Sequence, residues 1–217
     1  MIESFMENNM TLRVPPGPET VNGIDISHWT PVTSWQEVKA TGIGFVIMKA
    51  SDGSIGVDPS FKSNWAACDQ WKIKRGAYHF FHPDQDPIAQ AKHFLGLVLP
   101  ISIADFPLIL DFENHGGVNP NQQIVSALSF LNQVEVATNQ TPIIYCSPGF
   151  INDIGNPPAF SRFPLWVANY EVTAPSVPKP WSNWKMWQKA SNGKCPGITG
   201  DVDLNIFNGN LSQLSSF

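Results

Sequence analysis

Eight short apolar runs recur along the 217 residues, and the connectors between them are of two kinds. The runs are 23–27 (Gly-Ile-Asp-Ile-Ser), 44–50 (Gly-Phe-Val-Ile-Met-Lys-Ala), 75–81 (Arg-Gly-Ala-Tyr-His-Phe-Phe), 107–113 (Pro-Leu-Ile-Leu-Asp-Phe-Glu), 141–147, 164–170, 184–190 and 201–207. Each has strand length, and so many strands in one domain-sized chain point to a barrel or a large sheet. In the first half, Asp58-Pro59, Asp86-Pro87, Asn119-Pro120 and Ser147-Pro148 each set a capping residue before a proline suited to a first helical position. Amphipathic patterns follow the first three: Phe61, Trp65, Cys68; Ile88, Ala91, Leu95, Val98; Ile124, Leu128, Leu131. Strand, helix, strand in this order gives parallel neighbours. Later the chain reads Glu-Val-Thr-Ala-Pro-Ser-Val-Pro-Lys-Pro, which excludes helix, and 191–200 holds three glycines and a proline. The expected fold is an irregular α/β barrel of eight strands whose last connections are loops and hairpins. Residues 1–22 are polar and proline-containing and read as a lead-in, with a single domain over 23–217.

Composition narrows the function. The chain is 42% hydrophobic and 12% aromatic, with eight Trp and fourteen Phe, enough for a full core and more aromatic surface than a core needs. Its formal charge is −5 with scattered Lys and Arg, so neither a nucleic-acid patch nor a basic arm is present. No run reaches the 18 apolar residues of a membrane span. Residues 1–10 are acidic rather than basic, unlike a conventional signal peptide. Export is therefore expected by lysis, by a non-classical route or within an assembled particle. Cys68, Cys146 and Cys195 form no CxxC pair, and reduced thiols are expected, with one Cys68–Cys146 or Cys146–Cys195 bridge as the alternative.

The chemistry concentrates in four acids. Asp111 and Glu113 end the fourth run one residue apart, so the two-residue period of a strand aims both to one side, with Cα atoms roughly 6.5–7 Å apart. Two such carboxylates push their protonation states apart, which suits general acid/base work. Asp25 stands between Ile24 and Ile26 in the first run, and Asp203 lies in the last. First and last strands are neighbours in a closed barrel, so these two acids can meet across the seam, at the end where barrel active sites form. A lone strand-end Asp is usually a cap or turn residue, but a buried Asp25 is costly without a partner. Calcium or magnesium loop patterns, His-Glu-x-x-His, GxSxG, the P-loop and GxGxxG are all missing.

With those residues in place, the chain resembles the family 25 glycoside hydrolases, the Chalaropsis-type lysozymes. The resemblance runs from about Gly23 to Phe207. It is carried by Gly23-Ile-Asp-Ile-Ser-His-Trp, Gly44-Phe-Val-Ile-Met-Lys-Ala, Gly76-Ala-Tyr-His-Phe, Leu110-Asp-Phe-Glu and Ile144-Tyr-Cys-Ser, then Leu165-Trp-Val-Ala-Asn-Tyr, Trp187-Gln and Pro196-Gly-Ile-Thr-Gly-Asp-Val-Asp-Leu-Asn. It implies an irregular (β/α) barrel with about five helical connections and three closing strands. It also implies cofactor-free, metal-free hydrolysis of the β-1,4 bond between N-acetylmuramic acid and N-acetylglucosamine in peptidoglycan. By motif, Glu113 is the general acid, Asp111 its partner carboxylate, and Asp25 and Asp203 the remaining acids. The nucleophile stays open between a carboxylate and the substrate's acetamido oxygen.

Tyr78, Trp166, Tyr170 and Trp187 are the expected aromatic contacts to the glycan. For Trp187 a core position is nearly as well supported, because alternate strand residues face opposite sides. Lys49 is expected on the rim, pairing with a carboxylate, and His79 is expected to pack. Thr30-Pro31 stands where many relatives have Gln-Gly, which alters the first loop. The expected setting is a phage endolysin, held in the host cytoplasm before reaching the wall. The alternatives are a secreted or particle-borne enzyme attached through residues 1–22 to a phage structural partner, and a non-catalytic glycan-binding barrel.

Overall fold

The computed structural model describes residues 20–217. Eight strands close into a barrel: β1 (Thr20–Ile26), β2 (Phe45–Asp52), β4 (Lys74–Phe80), β5 (Ile109–Asp111), β6 (Ile143–Cys146), β7 (Leu165–Ala168), β8 (Met186–Gly193) and β9 (Val202–Asn208). The two-residue β3 (Gly56–Val57) folds back antiparallel on the end of β2. From β1 through β8 neighbouring barrel strands are parallel, and β9 closes the ring antiparallel to both β8 and β1. The lead-in expected over 1–22 lies outside the described residues as far as residue 19. Residues 20–22 belong to β1, which starts three positions before the first apolar run.

Five helical connections join the parallel strands: α1 (Trp35–Ala40), α2 (Phe61–Gln70), α3 (Pro87–Val98), α4 (Pro120–Thr138) and α5 (Pro148–Asp153). Asp86, Asn119 and Ser147 cap α3, α4 and α5 through their side chains, with proline at the first helical position of each. Asp58-Pro59 does not play that part. The N-cap of α2 is Ser60, and the Asp58 carboxylate is buried, accepting from Ser60 and from the backbone and ring of His28. Helix α1 has no proline signal and was not anticipated, although Ser34, which accepts from the Glu37 N–H, opens a Ser-x-x-Glu sequence. As the prolines dictate, the β7–β8 connection is a loop and β8–β9 a hairpin.

Strand alternation sorts the core into two parts. Ile24, Val46, Leu110, Ile144, Val167 and Leu204 point outward and pack beneath the helices. Val21, Phe45, Ile47, Ile109, Ile143, Met186 and Phe207 fill the barrel's interior. Gly23 stands opposite Phe45 in the β1–β2 ladder, and a Cβ there would come within 2.4 Å of the Phe45 ring. Glycine at this position lets the ring plug the barrel. All three cysteines are buried and unpaired. Burial pushes the Cys68 thiol up to about 12 and that of Cys195 to about 11, so both behave as apolar side chains.

Candidate active site

The apolar plug stops short of one end. Where the parallel strands finish, interior positions turn polar, giving Asp25 on β1, Tyr78 on β4, Asp111 on β5, Tyr145 on β6 and Gln188 on β8. These residues, with Glu113, Trp166, Tyr170 and Asp203, line a cavity of about 230 Å³. β9 runs the other way, so Asp203 near its start lies at the same end. Asp203 is the direct ladder partner of Asp25, which is the meeting across the seam that barrel closure required. β5 ends at Asp111, and Glu113 lies past it; the fully buried Phe112 points outward between them. Alternation therefore persists beyond the last ladder pair, and both carboxylates reach one cavity.

Two amides anchor Asp25. Its Oδ2 accepts from Gln188 Nε2 at 2.8 Å and from Asn205 Nδ2 at 2.7 Å. The Gln188 oxygen in turn accepts from the Tyr145 hydroxyl at 2.8 Å and the Tyr170 hydroxyl at 2.5 Å, so its orientation is fixed from both ends. Asn205 is fixed likewise, since its Oδ1 accepts from Trp166 Nε1 at 2.9 Å.

Charge in this cavity favours bound protons. Burial and the charge of Asp25 push the Asp203 carboxyl up to about 8, and Asp203 hydrogen-bonds to Asp25. At neutral pH the proton therefore sits on Asp203, and Asp25 is the carboxylate that accepts from it and from two amides. Asp25 is itself raised by burial, with these donors working against the rise. Asp111 lies well above the ordinary carboxylate range, first through burial and then through the charge of Glu113. Its Oδ1 is buried without a hydrogen-bond partner. Glu113 is raised by partial burial and by Asp25, while Lys49 pulls it down. It is the exposed member of the set, at the mouth.

Seven of the nine residues expected in the site share this cavity: Asp25, Tyr78, Asp111, Glu113, Trp166, Tyr170 and Asp203. Trp187 is not among the lining residues. It is 7% exposed in the outer core and donates Nε1–H to the Asn169 carbonyl at 2.7 Å. Adjacent residues on a strand face opposite ways, so an inward Gln188 requires an outward Trp187. Lys49 also stands off the cavity wall and pairs with Asp52 at 2.6 Å. His79 packs as expected, fully buried between Ser51 and Gln90. Tyr145, Gln188 and Asn205 were not singled out from sequence. The signal for Asn205 was available, since it lies two residues after Asp203 on the same strand face. Among the described residues no group of three or more His, Cys, Asp or Glu is arranged to hold a metal ion, and no helix is long and apolar enough to cross a membrane.

Comparisons with known proteins identify relatives of this chain. The uncharacterized Escherichia coli K12 protein YegX is 36% identical over 93% of this chain and 75% of its own. Lysozyme M1 of Streptomyces globisporus is 31% identical over 92% of this chain and 72% of its own. The crystal structure of a lysozyme from Streptomyces coelicolor superposes with a TM-score of 0.86 at 31% identity, covering 90% of this chain and 97% of that one. The sequence model of the glycosyl hydrolases family 25 matches residues 24–198. A match of that extent, on a barrel whose acids converge at one end, makes this chain a member of glycosyl hydrolase family 25.

Proposed function

We propose that this family 25 hydrolase cleaves the β-1,4 bond between N-acetylmuramic acid and N-acetylglucosamine in peptidoglycan, with Glu113 as the general acid. The observation that carries the reading is the convergence of four carboxylates on one cavity, with Glu113 raised and at the exposed mouth. A leaving glycosidic oxygen needs a proton donor that is charged with its proton near neutral pH and open to the substrate. Glu113 is exposed at the mouth, and burial together with the charge of Asp25 raises its carboxyl in the direction that keeps the proton on it.

Asp111 is the partner. A buried carboxyl oxygen without a donor holds its proton, so in the free enzyme Asp111 and Glu113 compete for one. A substrate N-acetyl N–H donated to Asp111 would favour its ionised form and leave the proton on Glu113. The Asp111 carboxylate would then stabilise the oxocarbenium-like charge as the bond breaks. Asp25, with Asp203 holding the proton beside it, orients the Gln188–Tyr145–Tyr170 network along the sugar-facing wall. Tyr170, 41% exposed, and Tyr78 are the aromatic contacts this reading assigns to the glycan.

The test is digestion of purified peptidoglycan, with new reducing ends identified by mass spectrometry after borohydride reduction. Reduced muramic acid termini support a muramidase. Reduced glucosamine termini mean that the other bond is cut, and no new ends on several wall chemistries would overturn the reading in favour of a glycan-binding barrel. For its setting we propose lysis of a phage host. Support comes from the CTP1L endolysin, whose crystal structure superposes on this barrel with a TM-score of 0.71 at 26% identity over 85% of this chain. Lysis on co-expression with a holin, and none without it, is the expected result.

A further inference from the structure

Beside the cavity runs a chain of contacts that the proposed reaction does not use. It starts at Asn114, the residue after Glu113, and ends at Lys49 on β2. Asn114 Oδ1 accepts the Gly116 N–H at 2.8 Å, so its Nδ2 is the donor facing His82 Nδ1 at 3.2 Å. An accepting Nδ1 puts the ring proton on Nε2, which lies 2.7 Å from Asp52 Oδ1. The other Asp52 oxygen takes the Lys49 ammonium at 2.6 Å. That ammonium also lies over the Phe80 ring, 4.8 Å from its centroid, and Phe80 is the ladder partner of Asp111. Lys49 therefore stands next to the carboxylate pair, with its charge directed onto Asp52.

We propose that Asp52 and His82 are positioning residues that tether the Lys49 ammonium away from Glu113, so that the acid keeps its proton in the working pH range. A lysine side chain is long and flexible, and a free ammonium close to a carboxylate pairs with it. Asp52 is a strong competitor because Lys49 and His82 hold it below the usual carboxylate range despite its partial burial. The other groups acting on Glu113 are acids or phenols: Asp111 on its own segment, Asp25, Asp203, Tyr145 and Tyr170. Among the described residues, Lys49 is the cation whose field reaches both Asp111 and Glu113. Where it points sets how easily Glu113 gives up its proton.

The inference rests on Glu113 being the general acid, but its test does not need turnover. Carboxyl-carbon NMR titration of Glu113 in the full chain gives the midpoint directly, with circular dichroism confirming that each variant is folded. Asp52→Asn releases Lys49, and the Glu113 midpoint is expected to fall by about one unit. On the alkaline side of the midpoint activity falls up to roughly 10-fold with it, as that limb of kcat/KM moves down. In the Lys49→Met background the same Asp52→Asn change should leave the midpoint nearly still, because the tethered cation is gone. An equal shift in both backgrounds would reduce Asp52 to a plain charge effect, and no shift in either would remove it from the acid's control. Either result overturns the tether. If Glu113→Gln retained full activity the general-acid reading would fail, and the titration would still decide the tether.

Discussion

Replacing Gln188 by leucine keeps the bulk of a 3%-exposed side chain and removes three hydrogen bonds. The Tyr170 hydroxyl recovers its bond from water, because that residue is 41% exposed, so its loss costs little. Tyr145 is 7% exposed, and its hydroxyl keeps the neighbouring Tyr170 hydroxyl as a partner, so the lost bond costs about 0.5–1.5 kcal/mol. Asp25 loses one of two amide donors, a charge-assisted bond of ~1.5–3 kcal/mol. Together these come to about 2–4.5 kcal/mol while Asp25 is ionised. At pH 5 the cost is smaller than at pH 8, because without Gln188 the raised Asp25 carboxyl takes up a proton more readily. Urea unfolding of wild type and Gln188→Leu at both pH values measures the difference. A cost below ~1 kcal/mol, or the same cost at both, would refute the view that Gln188 stabilises a charged Asp25.

The raised acids make stability depend on pH in an unusual direction. Folded Asp203 holds its proton up to about 8 while an unfolded aspartate releases it near 3.8, so the folded state binds more protons between these values. Thermal unfolding midpoints should rise as pH falls from 8 toward 5, and Asp203→Asn should flatten that slope. Asp111→Asn removes an ionisable group whose Oδ1 is buried without a hydrogen-bond partner. It is expected to raise the midpoint at pH 8 while cutting turnover by at least ~100-fold, and a mild effect on turnover would leave Asp111 a structural residue. Gly23→Ala drives a methyl into the Phe45 ring and should cost about 1–3 kcal/mol in denaturant unfolding, with no change in the pH profile of activity.

Much of this architecture was legible because local chemistry writes it. The prolines at 87, 120 and 148 mark helix starts, and the proline-rich stretch after Tyr170 forbids a helix where the barrel switches to loops. The carboxylates stood out because charge inside apolar runs is costly and needs a reason. What was not legible depended on register. Tyr145, Gln188 and Asn205 are neutral polar residues whose importance appears only once β8 and β9 are set beside β1. Trp187 is expected at the glycan as an aromatic of the matching motifs, with a core position nearly as well supported, and the core position holds because its neighbour Gln188 takes the inward place. Asp58-Pro59 carries the same local pattern as the true caps, yet His28, thirty residues earlier, claims its carboxylate. No local pattern reports that contact.

The central claim is that Glu113 supplies the proton that breaks the glycosidic bond. The most direct measurement compares wild type with Glu113→Gln, reading glycan binding by calorimetry and kcat on the same soluble peptidoglycan fragments. Binding should persist within a few-fold while kcat falls by about 10²–10⁴, the usual contribution of a general acid. Retained turnover in a folded Glu113→Gln protein would contradict the account and move the acid's role to another carboxylate of the cavity.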